Sequence, residues 1–304
     1  MALNPTSNFS GKAAGFYISA ALKEAKSLDF LTTIENIKFK SNIQKMDAAS
    51  MVQDATCNFN EAGTLNMTEA VLEPKNLMIN TDLCKKELLD SWEALQMRAG
   101  AGAPPPASFE DYVISYLGGV IADGVEGSIW SGNGATAGQF TGFVHGGVGH
   151  LVTDATVIDV ANDGGAGNAY TTTNIITNLS ACVAAIPTTV YTKEDLYIYM
   201  GPKTYRLYIS KISSQGYVNA YSMNGDYEPV FEGKKIAVCP ALPEDVLVAA
   251  EQSNLFFGTD LLSDHTRIQI MDMANLDGSD NMRVVARYSG GTKQGVGSDI
   301  VLVS

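Results

Sequence analysis

Between Arg98 and Lys193 the sequence has no lysine or arginine, a run of 94 residues that still holds seven acids: Glu110, Asp111, Asp123, Glu126, Asp154, Asp159 and Asp163. Basic residues are scarce throughout, 20 Lys and Arg against 33 Asp and Glu, for a formal net charge of −13. Such a chain does not neutralise phosphates, which argues against a general DNA- or RNA-binding protein and against anionic membrane surfaces. No stretch approaches 18 uninterrupted apolar residues, so no transmembrane helix is expected. The first basic residue is Lys12 and the apolar run after it breaks at Lys23, which makes a poor signal peptide. The four cysteines, Cys57, Cys84, Cys182 and Cys239, are far apart and form no C-x-x-C. Neither a zinc site nor a disulfide framework follows from that spacing, and free thiols in a reducing compartment are the default. Matches to N-x-S/T at Asn8, Asn66 and Asn178 mean little without a secretory signal.

What is present points to a folded chain. Of 304 residues 45% are hydrophobic, and 13 Tyr, 11 Phe and 2 Trp exclude intrinsic disorder. No collagen or heptad period is visible, and 29 glycines imply many turns and close backbone approaches. The spacing over Phe16–Ala25 suggests a short helix in an N-terminal arm. Ile37, Phe39, Ile43 and Met46 form one extended run and Thr64 to Ile79 a second, with turn chemistry at Asn60–Gly63 between them. These two arms read as a long hairpin with little to bury, which needs a neighbour to lie on. Asp82–Met97 reads as a helix, ended by the Gly/Ala/Pro run 98–106.

The strongest periodicity follows. Ser108 can cap a helix, and Phe109, Tyr112, Val113, Tyr116, Leu117, Val120, Ile121 and Val125 form one apolar stripe that runs on to Trp130. Asn174 starts a second helix whose apolar face is Ile175, Ile176, Leu179, Cys182, Val183 and Ile186. Strands are expected at 196–200, 235–239, 246–250, 266–273, 282–288 and 299–303, and a helix at 202–213 with Pro202 in its first turn. Because helices and strands are mixed without strict alternation, the fold class expected is α+β.

Candidate chemistry is thin. Gly132-Asn133-Gly134-Ala135-Thr136-Ala137-Gly138 resembles a phosphate-cradling loop, yet it follows a helix rather than a strand and no helix opens after it. His145 and His150 could be read as a metal pair, but their flanks are glycine loop and no carboxylate partner is at hand. Cys182 and Cys239 read as core, and Cys57 as the exposed thiol. No G-x-S-x-G or H-E-x-x-H occurs. No catalytic residue, cofactor or metal ligand is assigned, and the chain is not expected to be an enzyme.

The order of the pieces resembles the major capsid protein of tailed bacteriophages, a fold shared with herpesvirus capsid floors and encapsulins. The matching stretches are Leu72–Leu77 to Glu87–Ser91, Phe109–Ile114 to Ser128–Gly134, Tyr199–Tyr205, and Phe231–Val238 with Pro240 and Pro243. The resemblance implies an N-terminal arm (1–35), an extended hairpin loop (36–80), a peripheral domain with a long spine helix (81–168 and 264–288) and an axial domain (169–263 and 289–304). It implies self-assembly into hexamers and pentamers forming an icosahedral shell around double-stranded DNA, in a virion assembled in the host cytoplasm. Portal, scaffold and decoration proteins would be further partners, and the enclosed genome would not be bound specifically. The hairpin tip, Cys57, Asn58, Phe59, Asn60 and Glu61, would contact a neighbouring subunit. With no lysine from Gln53 to Gly63, an isopeptide cross-link there is not expected. Only a short arm precedes the hairpin, so a scaffold would be separate or removed. In this family the spine helix lies on the inner side of the shell, which makes Glu110, Asp123 and Glu126 inner-wall candidates and gives the lysine-free stretch a reason: a wall that holds a genome without gripping it should not be basic. The alternatives are an encapsulin-like cellular container, a bacterial surface or tail-tube subunit, and a soluble enzyme using the 132–138 loop or the histidine pair.

Overall fold

The computed structural model describes residues 25–49, 51–58, 61–84, 107–165, 168–215, 230–260, 268–276, 278–279 and 281–304. The expected helix at 16–25 falls outside them but for its last residue, as does the part of the 82–97 helix beyond residue 84 and the linker as far as residue 106. The first described elements are a 3-10 turn at Lys26–Phe30 and then β1 (Thr32–Ile34), β2 (Ser41–Ala49), β3 (Thr64–Leu72) and β4 (Lys75–Cys84). Helices α1 (Ala107–Ser131) and α2 (His150–Thr153) precede β5 (Ile158–Val160), α3 (Ile175–Ala185), α4 (Thr188–Tyr191), β6 (Leu196–Met200) and α5 (Pro202–Ser214). The remaining strands are β7 (Val230–Phe231), β8 (Lys234–Val238), β9 (Leu247–Glu251), β10 (Leu255–Gly258), β11 (Ile268–Asp272), β12 (Asn281–Gln294) and β13 (Val301–Val303).

A six-stranded mixed sheet, in the order β5-β13-β9-β6-β8-β7, forms one half. It is apolar on both faces, and the two-residue period divides its side chains cleanly. Leu196, Ile198, Met200, Leu247, Ala249, Val301 and Val303 join a core with Leu179, Cys182 and Val183 of α3 and Tyr208 of α5. The alternate residues, Tyr199, Ala237, Val248, Ala250 and Leu302, join the larger core built on α1. Buried on both sides, these strands carry the continuous apolar runs that make them readable in the sequence.

The second sheet is organised by β12. Its first ten residues pair antiparallel with β4, from Asn281↔Cys84 to Gly290↔Lys75, while Met282–Ala286 pair on the other side with β11. Its last four pair with β10, which is parallel to β1. The expected second hairpin arm is therefore corrected. It ends at Leu72, and 75–84 is a strand of the body. Asp82–Cys84, expected as the start of a helix, are extended because β12 supplies a ladder from nearly 200 residues away. The expected division of the chain does not follow the sheets either: β5 lies in the six-stranded sheet and β10 in the other.

Helix α1 spans 25 residues, about 37 Å at 1.5 Å per residue. Leu117, Ile121, Val125 and Ile129 repeat every four residues and are buried, with Ala122 and Trp130 beside them. Val120, expected in the stripe, is 42% exposed. The helix ends because residues 132–149 double back over it. Phe143 N–H donates to Ile129 O (2.9 Å), Val144 N–H to Trp130 O (2.8 Å) and Gly142 N–H to Gly132 O (2.9 Å), which satisfies carbonyls a helix end leaves unpaired. A Cβ on Gly142 would stand 2.5 Å from Ser128 O and 2.7 Å from Trp130 O, so only glycine fits. Asn174 does precede α3, but its Oδ1 accepts from Thr171 N–H (2.7 Å) and Thr171 Oγ (2.9 Å) and caps nothing in the helix.

Candidate functional site

The feature that the chain's own core leaves open is the hairpin. Strands β2 and β3 pair in unbroken antiparallel register from Ser41↔Leu72 to Ala49↔Thr64 and form a two-stranded sheet. Their faces differ. On one, Ala70 and Leu72 are buried against the body, with Leu72 against Gly258. On the other, Met46 and Met67 stand directly opposite each other at 64% and 62% exposure, with Leu65 and Val71 also exposed. Phe39 at its root and Met51 and Val52 beyond β2 add to this surface. Among the described residues no third strand joins this pair, and the Met46 face, which also carries Gln44 and the Asn42–Glu69 pair, is open; two such strands are marginal in water.

The root is fixed by charge. Lys40 pairs with Glu73 at 2.9 Å and Lys38 with Asp260 at 3.2 Å. Asn42 Nδ2 donates to Glu69 Oε2 at 2.9 Å. Lys75 Nζ donates to the carbonyls of Gly134 and Gln139, at 2.7 and 2.8 Å, and lies 3.3 Å from that of Thr136. At the tip, Cys57, Asn58 and Glu61 are exposed, and Thr56 Oγ donates to Asn58 O at 2.8 Å. Phe59 and Asn60 lie outside the described residues.

The inner-wall candidates separate. Asp123 is exposed on α1. Glu110 belongs to the first turn of α1, and its side chain lies outside the described residues. Glu126 is a correction: it is buried within the chain and faces no wall. Its carboxylate accepts from Ser27 N–H (3.1 Å) and from Ser27 Oγ (2.5 Å), and Trp130 Nε1 donates to the same hydroxyl at 2.7 Å. A buried carboxylate needs such donors, and the arm's root supplies them. Sequence reading missed Ser27 and Lys75, since partners 99 and about 60 residues away leave no local pattern.

The 132–138 loop is no phosphate cradle. An anion needs convergent N–H groups, and here the carbonyls converge, on Lys75. The loop's N–H groups of Asn133, Ala135 and Thr136 bond within the loop. His145 Nδ1 lies 2.8 Å from Ser131 O. His150 is held to a pKa of about 4 by burial and by the nearby Lys293. Among the described residues no group of three or more His, Cys, Asp or Glu could hold a metal ion. Burial pushes the thiols of Cys182 and Cys239 up to about 12. Both are core residues, as expected, and Cys57 is exposed. No described helix is long and apolar enough to cross a membrane.

No family model matches this chain, and no curated protein matches it by sequence. Solved structures do. The capsid of an empty GTA particle superposes with a TM-score of 0.60 at 14% identity, over 92% of this chain and 89% of that one. The satellite phage P4 procapsid gives 0.59 at 12% identity, covering 99% and 93%. A virus-like particle from Pyrococcus furiosus gives 0.54 at 8% identity, covering 96% and 98%. The chain has the tailed-phage major capsid fold. Helix α1 and the hairpin β2–β3 stand where the resemblance leads one to expect the spine helix and the extended loop.

Proposed function

We propose that this chain is the major capsid protein of a tailed phage, which assembles with copies of itself into hexamers and pentamers of an icosahedral shell around double-stranded DNA. The observation that carries the reading is the hairpin's bare apolar face, Met46, Met67, Leu65 and Val71, turned away from the chain's own core. Burying it on a neighbouring subunit removes its apolar area from water, and many modest contacts of this kind sum to a stable shell. The capsid fold supports the same reading. So does the chemistry of the candidate enzyme sites: the glycine loop holds a lysine, and His145 bonds a backbone carbonyl. The reading therefore has no catalytic step and no cofactor. Its place is the virion capsid, assembled in the host cytoplasm, with portal, scaffold or decoration proteins as further partners. Exposed Asp123 on α1, in a stretch without lysine or arginine, suits an inner wall that encloses DNA without binding it specifically.

The test is size-exclusion chromatography of the expressed protein followed by nuclease treatment. Megadalton particles that protect DNA from nuclease support the phage reading. The likeness to the virus-like particle favours a second reading, a cellular container of the same fold, for which particles of that size would hold no protected DNA. Elution as a small oligomer would count against both.

A further inference from the structure

Lys75 begins β4 three residues after β3 ends, with Glu73 and Pro74 between. Its side chain leaves the strand and enters the loop that follows α1. There Nζ meets three backbone carbonyls, Gly134 O at 2.7 Å, Gln139 O at 2.8 Å and Thr136 O at 3.3 Å. An ammonium has three donors and no acceptor, so three carbonyls match it in number and sign. Three of the loop's N–H groups bond inside it, through Asn133 and Gln139. Asn133 N–H donates to Gln139 Oε1, Ala135 N–H to Asn133 Oδ1, and Thr136 N–H to Asn133 O. The side that meets Lys75 presents three carbonyl oxygens, the donor set of a cation site. The 94-residue stretch that contains this loop has no lysine or arginine of its own, so the cation has to come from elsewhere in the chain.

We propose that residues 133–139 form a cation-binding loop whose ligand is the Lys75 ammonium, and that this internal ligand sets the angle at which the hairpin leaves the body. The second clause rests on the shell reading, the first does not. The geometry at the root explains the coupling. Glu73 and Pro74 lie flat on Gly291 of β12, where a Cβ would come within 2.9 Å of Glu73 O and 3.0 Å of Pro74 Cα. That contact, the burial of Ala70 and Leu72 and the Lys38–Asp260 pair hold the turn on the body. The Lys75 side chain adds a tie from the turn to the loop that follows the spine helix. A cleft of about 440 Å³, lined by Glu73, Lys75, Gly134, Thr141, His150 and Thr292, opens beside the loop and gives a small cation from solution a way in when the side chain is cut back.

Two measurements test the loop. In the wild-type protein, lysine acetylation read by mass spectrometry should modify Lys75 about tenfold more slowly than exposed Lys26, the factor that corresponds to one charge-assisted hydrogen bond. Equal rates would overturn the proposal, and this arm needs no variant to fold. Lys75→Ala should melt below wild type in tetramethylammonium chloride and recover most of the shift in methylammonium chloride at the same ionic strength, with wild type indifferent to the exchange. A variant that melts like wild type, or that does not distinguish the two salts, would also overturn it. For the hairpin, electron microscopy of Lys75→Ala should show open or irregular particles where wild type closes, with closure restored by methylammonium. Closed wild-type-like shells from Lys75→Ala would remove the second clause. A salt-selective Lys75→Ala beside a wild type that never assembles would leave the loop standing and remove the shell reading instead.

Discussion

Ser27 and Glu126 show how much single side chains do in this molecule. The serine offers its backbone N–H and its hydroxyl to one buried carboxylate, and Trp130 donates to the hydroxyl in turn. Glu126→Ala leaves two buried donors unpaired and is expected to cost about 3 kcal/mol, whereas Glu126→Gln keeps an acceptor and should cost about 1 kcal/mol. Urea unfolding midpoints of the two variants check the order. The thiols are a second case. Cys182 and Cys239 are buried with pKa values raised to about 12, so they stay protonated and inert. Iodoacetamide on the native protein should label Cys57 and spare both until denaturant is added. His150 gives a pH dependence. Its folded pKa, about 4, lies below the ordinary histidine value of 6.5 because burial and Lys293 both oppose the charged form. The unfolded chain therefore binds the proton first, and stability falls as pH drops from 6.5 towards 4, by an amount on the order of 2 kcal/mol. His150→Gln should flatten that slope in thermal melts taken across the interval.

Among the elements, those with a strong local pattern were the ones legible in the sequence. The spine helix announces itself by its three- and four-residue steps. The inner strands β6, β9 and β13 are buried on both faces and so appear as apolar runs, whereas the short edge strands β5 and β7 were not foreseen. Strand β4 was not legible, because what makes Lys75–Cys84 extended is a ladder with β12 some 200 residues on. Without that partner the same residues read as hairpin and helix start. The exposure of Val120, inside an apolar stripe, depends on which flank of α1 its neighbours cover. Of the candidate site, the hairpin and the exposed Cys57 could be read from the sequence. The burial of Glu126 and the Lys75 ligation could not, since both depend on backbone groups brought together only by the tertiary fold. For the 132–138 loop, glycine spacing reports that a tight turn is possible, not whether its N–H or its C=O groups converge. Two variants probe these elements. Gly142→Ala forces a Cβ against the last turn of α1 and should destabilise by about 2 kcal/mol or more in thermal unfolding. The double variant Met46→Glu with Met67→Glu touches only the exposed hairpin face. It should keep stability within about 1 kcal/mol of wild type while abolishing assembly by size-exclusion chromatography. A variant that still assembles would show that this face is not the contact.

For the whole molecule, charge and shape meet in one account. The hairpin is a two-stranded sheet apart from the two larger ones, and a net charge of −13 suits the proposed shell that encloses nucleic acid without gripping it. Val120→Lys with Asp123→Lys would place two cations on the exposed side of α1. If that side lines the shell interior, purified particles should retain more nucleic acid than wild type, read as a higher ratio of absorbance at the nucleic-acid and protein maxima. An unchanged ratio would place the helix face elsewhere. The central claim, self-assembly through a hairpin face that the described residues leave exposed, is tested most directly by negative-stain electron microscopy of the purified wild-type protein. Closed shells, or rings of five and six subunits, are the expected result. A uniform monomer or dimer at every concentration would contradict it.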